Sequence, residues 1–428
     1  MSFVSHLRGI GSGARYPADA VMNLCPVDGR PVEIVIDVER LRVERPAAAW
    51  YLPERRDMWR FGGLLPLDAG DPQEADGIVS LGEGATPLLD CSAWPLAERG
   101  RIGPPGTRLS NRVPFSLQIK EEGVPHAGFG ANPTRSFKDR GMAMVATLAR
   151  RLGLRRLVVP TQGNAGDSLA EYALAAGLEV AVVMPDDTPE GVLGRVAALA
   201  ERDARVRLEL VSGTIREAGA RVKSHWVPAG WFSVATFQEP GWRIEGKKTL
   251  GLELAEPAAP DGDWRLPDVI VYPTGGGTGL LGMWKAFGEL EALGMIGPGR
   301  PRMIAVQSAA TQPVVAAFEA GAADTRPGAA GATRAVGLNV PGGVGHFRVL
   351  EILRASGGGA FAVDEAGILD AYREARRELG LALCPEGAAC LAALPRVVAA
   401  GLIRSSDRVV VVNTCAPEKY LPDWPPGD

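Results

Sequence analysis

From about residue 150 onward, short apolar runs alternate with longer segments whose apolar positions recur every three or four residues. "LRRLVVP" leads into "SLAEYALAAGL", "EVAVVMP" into "EGVLGRVAALAERD", and "VRLELV" into "TIREAGARVKSHW", with "WFSVATF" closing the series. A second series runs "PDVIVYP", "GLLGMWKAFGELEALG" and "RPRMIAVQS", and "RVVVVNT" stands near the end. Alternation at this spacing predicts parallel sheets with helices packed on their faces. The expected fold class is α/β, with two doubly wound α/β domains and ligands in the crevice at the carboxyl ends of the strands. Residues 1–76 break the pattern. "LCPVDGRPVEIVIDVERLRV" predicts a small hairpin, and the stretch after it, rich in Pro, Gly and charge, predicts an arm on the main body. The division expected is an arm over 1–76, a small α/β domain over 156–237, and a large domain assembled from 77–155 and 238–428.

Composition removes several function classes. A chain of 428 residues, 46% apolar and 22% charged, has the make-up of an ordinary globular protein too long for one small core. Its net charge of −4 comes without a block of like charges, so neither nucleic acid nor a membrane surface is an expected partner. The opening "MSFVSHLRGIGSGARYP" has no apolar signal core, and no run approaches the ~18 residues of a membrane span. Cysteines at 25, 91, 384, 390 and 415 are odd in number and mostly far apart, as reduced thiols of a cytoplasmic enzyme would be. The histidines are isolated, so no metal is expected.

Three loops carry the candidate chemistry. "PTGGGTGLLG", 273–282, follows a strand and opens a helix. Its glycines let backbone N–H groups approach an anion at the positive end of a helix, which suits a phosphate. A nicotinamide dinucleotide would need an acid at the end of the next strand, but "RMIAVQS" ends in Gln307 and Ser308. No GK[ST] follows for a nucleotide triphosphate. "PTQGNAGDS", 160–168, is a second strand-to-helix loop, with Asn164 or Asp167 as the expected cap. In "NPTRSFKDRG", 132–141, Ser136 and Asp139 have the spacing of a capping box. Lys138 then lies in the first helical turn, where a cation is disfavoured. That position, with Arg140 close by, predicts a lowered pKa and a neutral amine fit for Schiff-base chemistry. Amine and phosphate nest together suggest pyridoxal phosphate.

"NPTRSFKDRG", "PTQGNAGDSLAEYA", "EPGWRIEGKKT", "VYPTGGGTGLLGMWKAF", "CPEGAA" and "VVVNT" occur in the order seen in threonine synthases. The chain resembles that family, pyridoxal-phosphate enzymes of the tryptophan synthase β fold type, over roughly residues 76–420. Dehydratases and β-replacing enzymes share the lysine and glycine motifs. The resemblance implies that Lys138 is the Schiff-base lysine, with Phe137 packing on the cofactor ring. Asn164 would bond the cofactor's phenolic oxygen, and Gly275, Gly276, Gly277, Thr278 and Gly279 its phosphate. Thr414 would face the pyridine nitrogen. Arg243 would meet a substrate phosphate, against the plainer reading of an exposed basic helix start continued by Lys247 and Lys248. Thr161 and Gln162 would line the substrate. The implied reaction converts O-phospho-L-homoserine and water to L-threonine and phosphate, and a homodimer is the implied assembly. Alternatives are a lyase for serine, threonine or another amino acid, a dinucleotide oxidoreductase, and a non-catalytic binding protein. The chain departs from the family at Arg135, where glycine is usual, and at Gln162, where Ser or Thr is usual. It departs again in the insertion "VPHAGFGA", in "NTCAPEKY", and in a zinc ribbon reduced to "LCPVDG".

Overall fold

The computed structural model describes residues 3–46, 48–94, 113–259, 262–420 and 424. Its strands form three sheets. The first is antiparallel, in the order β2-β1-β3, from β1 (Val4–Gly9), β2 (Arg15–Tyr16) and β3 (Val32–Ile36). The second has six strands in the order β12-β11-β10-β13-β5-β4. They are β4 (Leu88–Asp90), β5 (Ser116–Glu121), β10 (Val269–Pro273), β11 (Arg302–Ser308), β12 (Gly359–Val363) and β13 (Arg408–Asn413). All are parallel except β4, which runs antiparallel on the edge. The third sheet is parallel, ordered β8-β7-β6-β9, from β6 (Arg156–Pro160), β7 (Glu179–Pro185), β8 (Val206–Val211) and β9 (Phe232–Ser233).

Helices alternate with these strands. They are α1 (Val38–Glu44), α2 (Pro72–Ala75), α3 (Lys138–Arg151), α4 (Asn164–Ala175), α5 (Glu190–Arg202) and α6 (Ile215–Arg221). The remainder are α7 (Trp242–Ala255), α8 (Thr278–Ala292), α9 (Pro313–Glu319), α10 (His346–Ala355), α11 (Glu365–Leu379) and α12 (Pro385–Ala399). Among the described residues no helix is long and apolar enough to cross a membrane.

The strands buried on both faces, among them β7, β10, β11 and β13, read as near-continuous apolar runs. In the six-stranded sheet Ile270, Met303, Val410 and Val412 join the core shared with α3, α7 and α8, while Val269, Ile304, Val409 and Val411 join that of α11 and α12. In the four-stranded sheet Leu157 and Val159 pack with α4, and Val158 packs with Ala218 and Val222 beyond it. The period-two alternation of a strand decides these allegiances.

The amino-terminal region differs from the hairpin expected of it. Residues 38–44 are helical because the Asp37 carboxylate accepts the Arg40 N–H at 3.0 Å and starts α1, so β3 pairs with β1 instead. Leu7, Val32, Ile34, Trp59 and Phe61 belong to the main apolar core.

Three helices meet backbone to backbone beside the six-stranded sheet. A Cβ on Gly246 of α7 would lie 2.6 Å from the Arg140 carbonyl carbon of α3, and one on Gly282 of α8 would lie 2.8 Å from Lys248 N. Every residue of α7 is buried, so Lys247 and Lys248 are not the solvated helix start of the plainer reading. Most of the charge buried here is paired. Arg140 holds Glu122 at 2.7 Å and Glu253 at 2.8 Å, and Lys120 also holds Glu253, at 2.7 Å. Removing one member would strand the others at a cost of about 3–5 kcal/mol.

Candidate active site

One cavity opens where strand ends and helix starts of the two parallel sheets converge. The glycine loop supplies one wall. β10 stops at Pro273 and α8 begins at Thr278; between them Gly277 takes φ +86°, a left-handed conformation that favours glycine. A side chain at 277 would also strike Val349, and one at 275 would run into the Gly337 carbonyl. Burial lowers the His346 pKa and keeps the ring neutral. Its Nε2–H donates to the Gly275 carbonyl at 2.8 Å, while Nδ1 accepts from Gly343 N at 3.2 Å, which pins the loop. Gly275, Gly276, Gly277 and Thr278 line the cavity at a helix N-terminus, a place for an anion. Gly279 lies deeper, against the Tyr272 hydroxyl, and is not part of the lining.

The opposite wall is the start of α3. The expected capping box is absent. Phe137 is the N-cap residue with no side-chain bond, and Ser136 Oγ accepts only the Lys138 N–H, at 3.3 Å. Asp139 is drawn off by better donors, Thr134 N at 2.7 Å and Ser168 Oγ at 2.6 Å. Phe137 N donates to the Thr414 carbonyl at 2.9 Å, which ties this helix start to the end of β13. Lys138 is half-buried in the cavity wall, and its pKa is lowered to about 8. Burial is the main cause and Arg243 the second, against Cys415 and Glu386. Arg140, the neighbour expected to do this, is turned into the ion cluster with Glu122 and Glu253.

Asn164 is the first residue of α4, and neither it nor Asp167 caps the helix; Gly163 holds that place. The Asn164 side chain faces the cavity, buried, with Oδ1 lacking any hydrogen-bond partner. Thr414 lines the far end, its hydroxyl 3.6 Å from Cys384 Sγ. There Tyr420 OH donates to Glu386 at 2.8 Å, and the ligating atoms of Cys384, Glu386 and Cys415 lie within 4.8 Å of one another. Sequence spacing sets those cysteines apart, and nothing local to either one announces the cluster.

Arg243 and Lys247 reach the cavity from α7. Arg243 is buried; one guanidinium nitrogen bonds the Val234 carbonyl, while Nε stays 3.4 Å from Glu239 and makes no hydrogen bond. Burial raises the Glu239 pKa to about 8, against the pull of Arg243, its ion-pair neighbour. The remaining expected residues stand apart. Thr161 Oγ1 closes its own loop by accepting Gly163 N at 3.1 Å, and Gln162 bonds Asp187 at 3.1 Å in a separate groove. Arg135 is exposed with φ +62°, a backbone that explains why glycine suits this position, and it does not line the cavity.

A glycine cradle at a helix start, an amine held near pKa 8 and an orphaned buried amide oxygen thus share one space. The set fits a planar aldehyde that carries a phosphate and a phenolic oxygen, as pyridoxal phosphate does.

Comparison with known proteins agrees. The family described as "Pyridoxal-phosphate dependent enzyme" matches residues 130–414. Threonine synthase of Methanosarcina acetivorans is 30% identical over 410 residues, 96% of this chain and 91% of that protein. Its counterpart in Methanocaldococcus jannaschii is 29% identical over 95% of this chain and 91% of its own. Among solved structures, the processed form of threonine deaminase isoform 2 from Solanum lycopersicum superposes with a TM-score of 0.59 at 21% identity, covering 78% of this chain and 84% of that one. A fungal L-serine ammonia-lyase from Rhizomucor miehei gives 0.58 at 18% identity, covering 78% and 94%. From its cradle, its amine and these relatives, the chain belongs to the pyridoxal-phosphate dependent enzymes.

Proposed function

We propose that this enzyme is a threonine synthase that converts O-phospho-L-homoserine and water to L-threonine and phosphate. The observation that carries the reading is Arg243, a buried guanidinium facing the cavity with an unbonded Nε 3.4 Å from Glu239. A guanidinium with an unbonded nitrogen can take phosphate through two parallel hydrogen bonds. The threonine synthases aligned over nearly the whole chain support the same substrate class.

When bound, the cofactor supplies a conjugated ring that takes up the electron pair left at the substrate's α-carbon. In this reading the glycine loop and Thr278 hold the cofactor's phosphate, Asn164 its phenolic oxygen, and Phe137 packs on the ring. Lys138 would hold the cofactor through its amine and, when free, would be the base at the α-carbon. A pKa of about 8 leaves it able to take a proton and return it near neutral pH. Thr414 would present a hydroxyl rather than a carboxylate to the cofactor's ring, which would favour elimination and addition over amino transfer. Arg243 holds the departing phosphate. A cytoplasmic homodimer goes with this reading.

The test is substrate choice with Arg243 altered. Arg243→Ala should lower kcat/KM for O-phospho-L-homoserine by about 10- to 100-fold, Arg243→Lys should recover part of it, and the bound-cofactor spectrum should survive both. If L-serine or L-threonine is consumed faster than O-phospho-L-homoserine, or Arg243→Ala leaves the phosphorylated substrate unaffected, the enzyme is a dehydratase.

A further inference from the structure

Lys247 is buried, lines the same cavity, and has no carboxylate within ion-pairing distance among the described residues. The adjacent Lys248 makes the contrast: equally buried, it holds Glu245 and, at 2.9 Å, Glu289. Lys247 Nζ makes one hydrogen bond, to the Phe137 carbonyl at 2.7 Å, and sits 3.2 Å from the centroid of the Phe137 ring. A lysine Nζ carries more donors than this one bond uses, so it can still donate to a ligand.

We infer that Lys247 and Arg243 together form a subsite for a phosphate dianion, distinct from the glycine loop, so that Lys247 is a second ligand of the substrate's leaving phosphate. The inference rests on the phosphate-ester reading above. Its geometry comes from two helices. Arg243 and Lys247 are one turn apart on α7 and share the face turned to α3. A Cβ on Gly141 of α3 would stand 3.4 Å from Lys247 Cε and 3.7 Å from Arg243 Cβ, so both stems run past α3 at that point. The charges around Lys247 are Lys138, Arg243 and Arg140, opposed by Glu122. Together with burial they push its pKa well below the ordinary lysine range. Holding a protonated amine among these cations is costly unless a bound anion supplies the missing charge. The glycine loop, occupied by the cofactor's own phosphate, has its backbone donors committed, which leaves these two side chains for a second phosphate.

The experiment uses the cofactor-loaded enzyme and inorganic phosphate, followed by titration calorimetry, with L-serine titrated separately through the cofactor's absorbance. Lys247→Gln should weaken phosphate binding by roughly 10- to 100-fold while the L-serine titration is unchanged. Lys247→Met, matched in length and suited to an apolar wall, asks the same question should the glutamine variant fail to fold. If phosphate binding is lost in Arg243→Gln but intact in both Lys247 variants, the inference is wrong and the phosphate-ester reading stands. If phosphate binding is intact in all three, both fall. If Lys247 variants weaken phosphate and L-serine equally, Lys247 only supports Phe137 and the inference is again overturned.

Discussion

Replacing Gly246 by alanine tests whether the contact of α3 with α7 sets the site. Taken alone, glycine to alanine within a helix gains about 1 kcal/mol of helix propensity. Here the new Cβ would lie 2.6 Å from the Arg140 carbonyl carbon and 2.8 Å from Gly141 Cα, where non-bonded atoms prefer about 3.5–4.0 Å. The obstacle is backbone, which cannot rotate aside, so the helices must part by roughly 1 Å. Overpacking costs about 1–3 kcal/mol, and a rigid neighbour takes the upper end. After the propensity gain, a net loss of about 2 kcal/mol remains, a fall in melting midpoint of roughly 2 °C for 428 residues at about 2.1 cal/mol/K per residue. The same parting moves Arg243 and Lys247 away from Lys138, and a shift of about 1 Å in a positioned group can cost roughly 100-fold in rate. Gly288 on α8 is the control. It is exposed, and an added Cβ meets nothing within 4 Å, so Gly288→Ala should raise the melting midpoint. Thermal melts by circular dichroism, with kcat on the loaded enzyme, measure both effects. A Gly246→Ala protein that melts at or above the unmodified one would refute the close crossing as the determinant of the site.

Two further outcomes follow from the same cavity. Lys138 in cofactor-free protein reacts as the neutral amine, whose fraction grows as pH rises through about 8, so the rate of pyridoxal phosphate uptake should climb and level above that value. Arg243→Gln, which removes a nearby positive charge, should shift the midpoint upward; an uptake rate still climbing at about pH 10, as for an ordinary lysine, would contradict the environment described. Thr414→Asp places a carboxylate where the ring nitrogen is expected, and should protonate it and increase keto-acid by-products of amino transfer. Unchanged products and rate would mean that another residue faces the ring.

What can be read from the sequence is local. The glycine loop and Asn164 each sit where an apolar strand gives way to a helix, and Lys138 sits at the start of a helix, so composition and period disclose them. β5 escapes because "SLQIKEEG" reads as polar: Lys120 and Glu122 are buried only because Arg140, Glu253 and Thr86 come from elsewhere to pair with them. The Ser136 cap fails for a similar reason, since Asp139 finds Thr134 and Ser168, the latter on another helix. Arg140 is the perturbing charge suggested by nearness in sequence, whereas Arg243 is near in space. Lys247, Glu386 and Tyr420 reach the cavity by packing alone, and no spacing rule names them.

The place of β13 bears on how the enzyme is made. It is the last strand in chain order, yet it lies between β10 and β5, and the backbone just beyond it at Thr414 anchors Phe137. While the chain is being synthesised, the two flanking strands wait with open edges for a segment that emerges after both, a state prone to misassembly and aggregation. The cofactor's two walls cannot be brought to their final separation before that strand inserts. Vitamin supply can therefore rescue only completed chains, and a nonsense mutation as late as codon 407 would leave a product unable to be loaded.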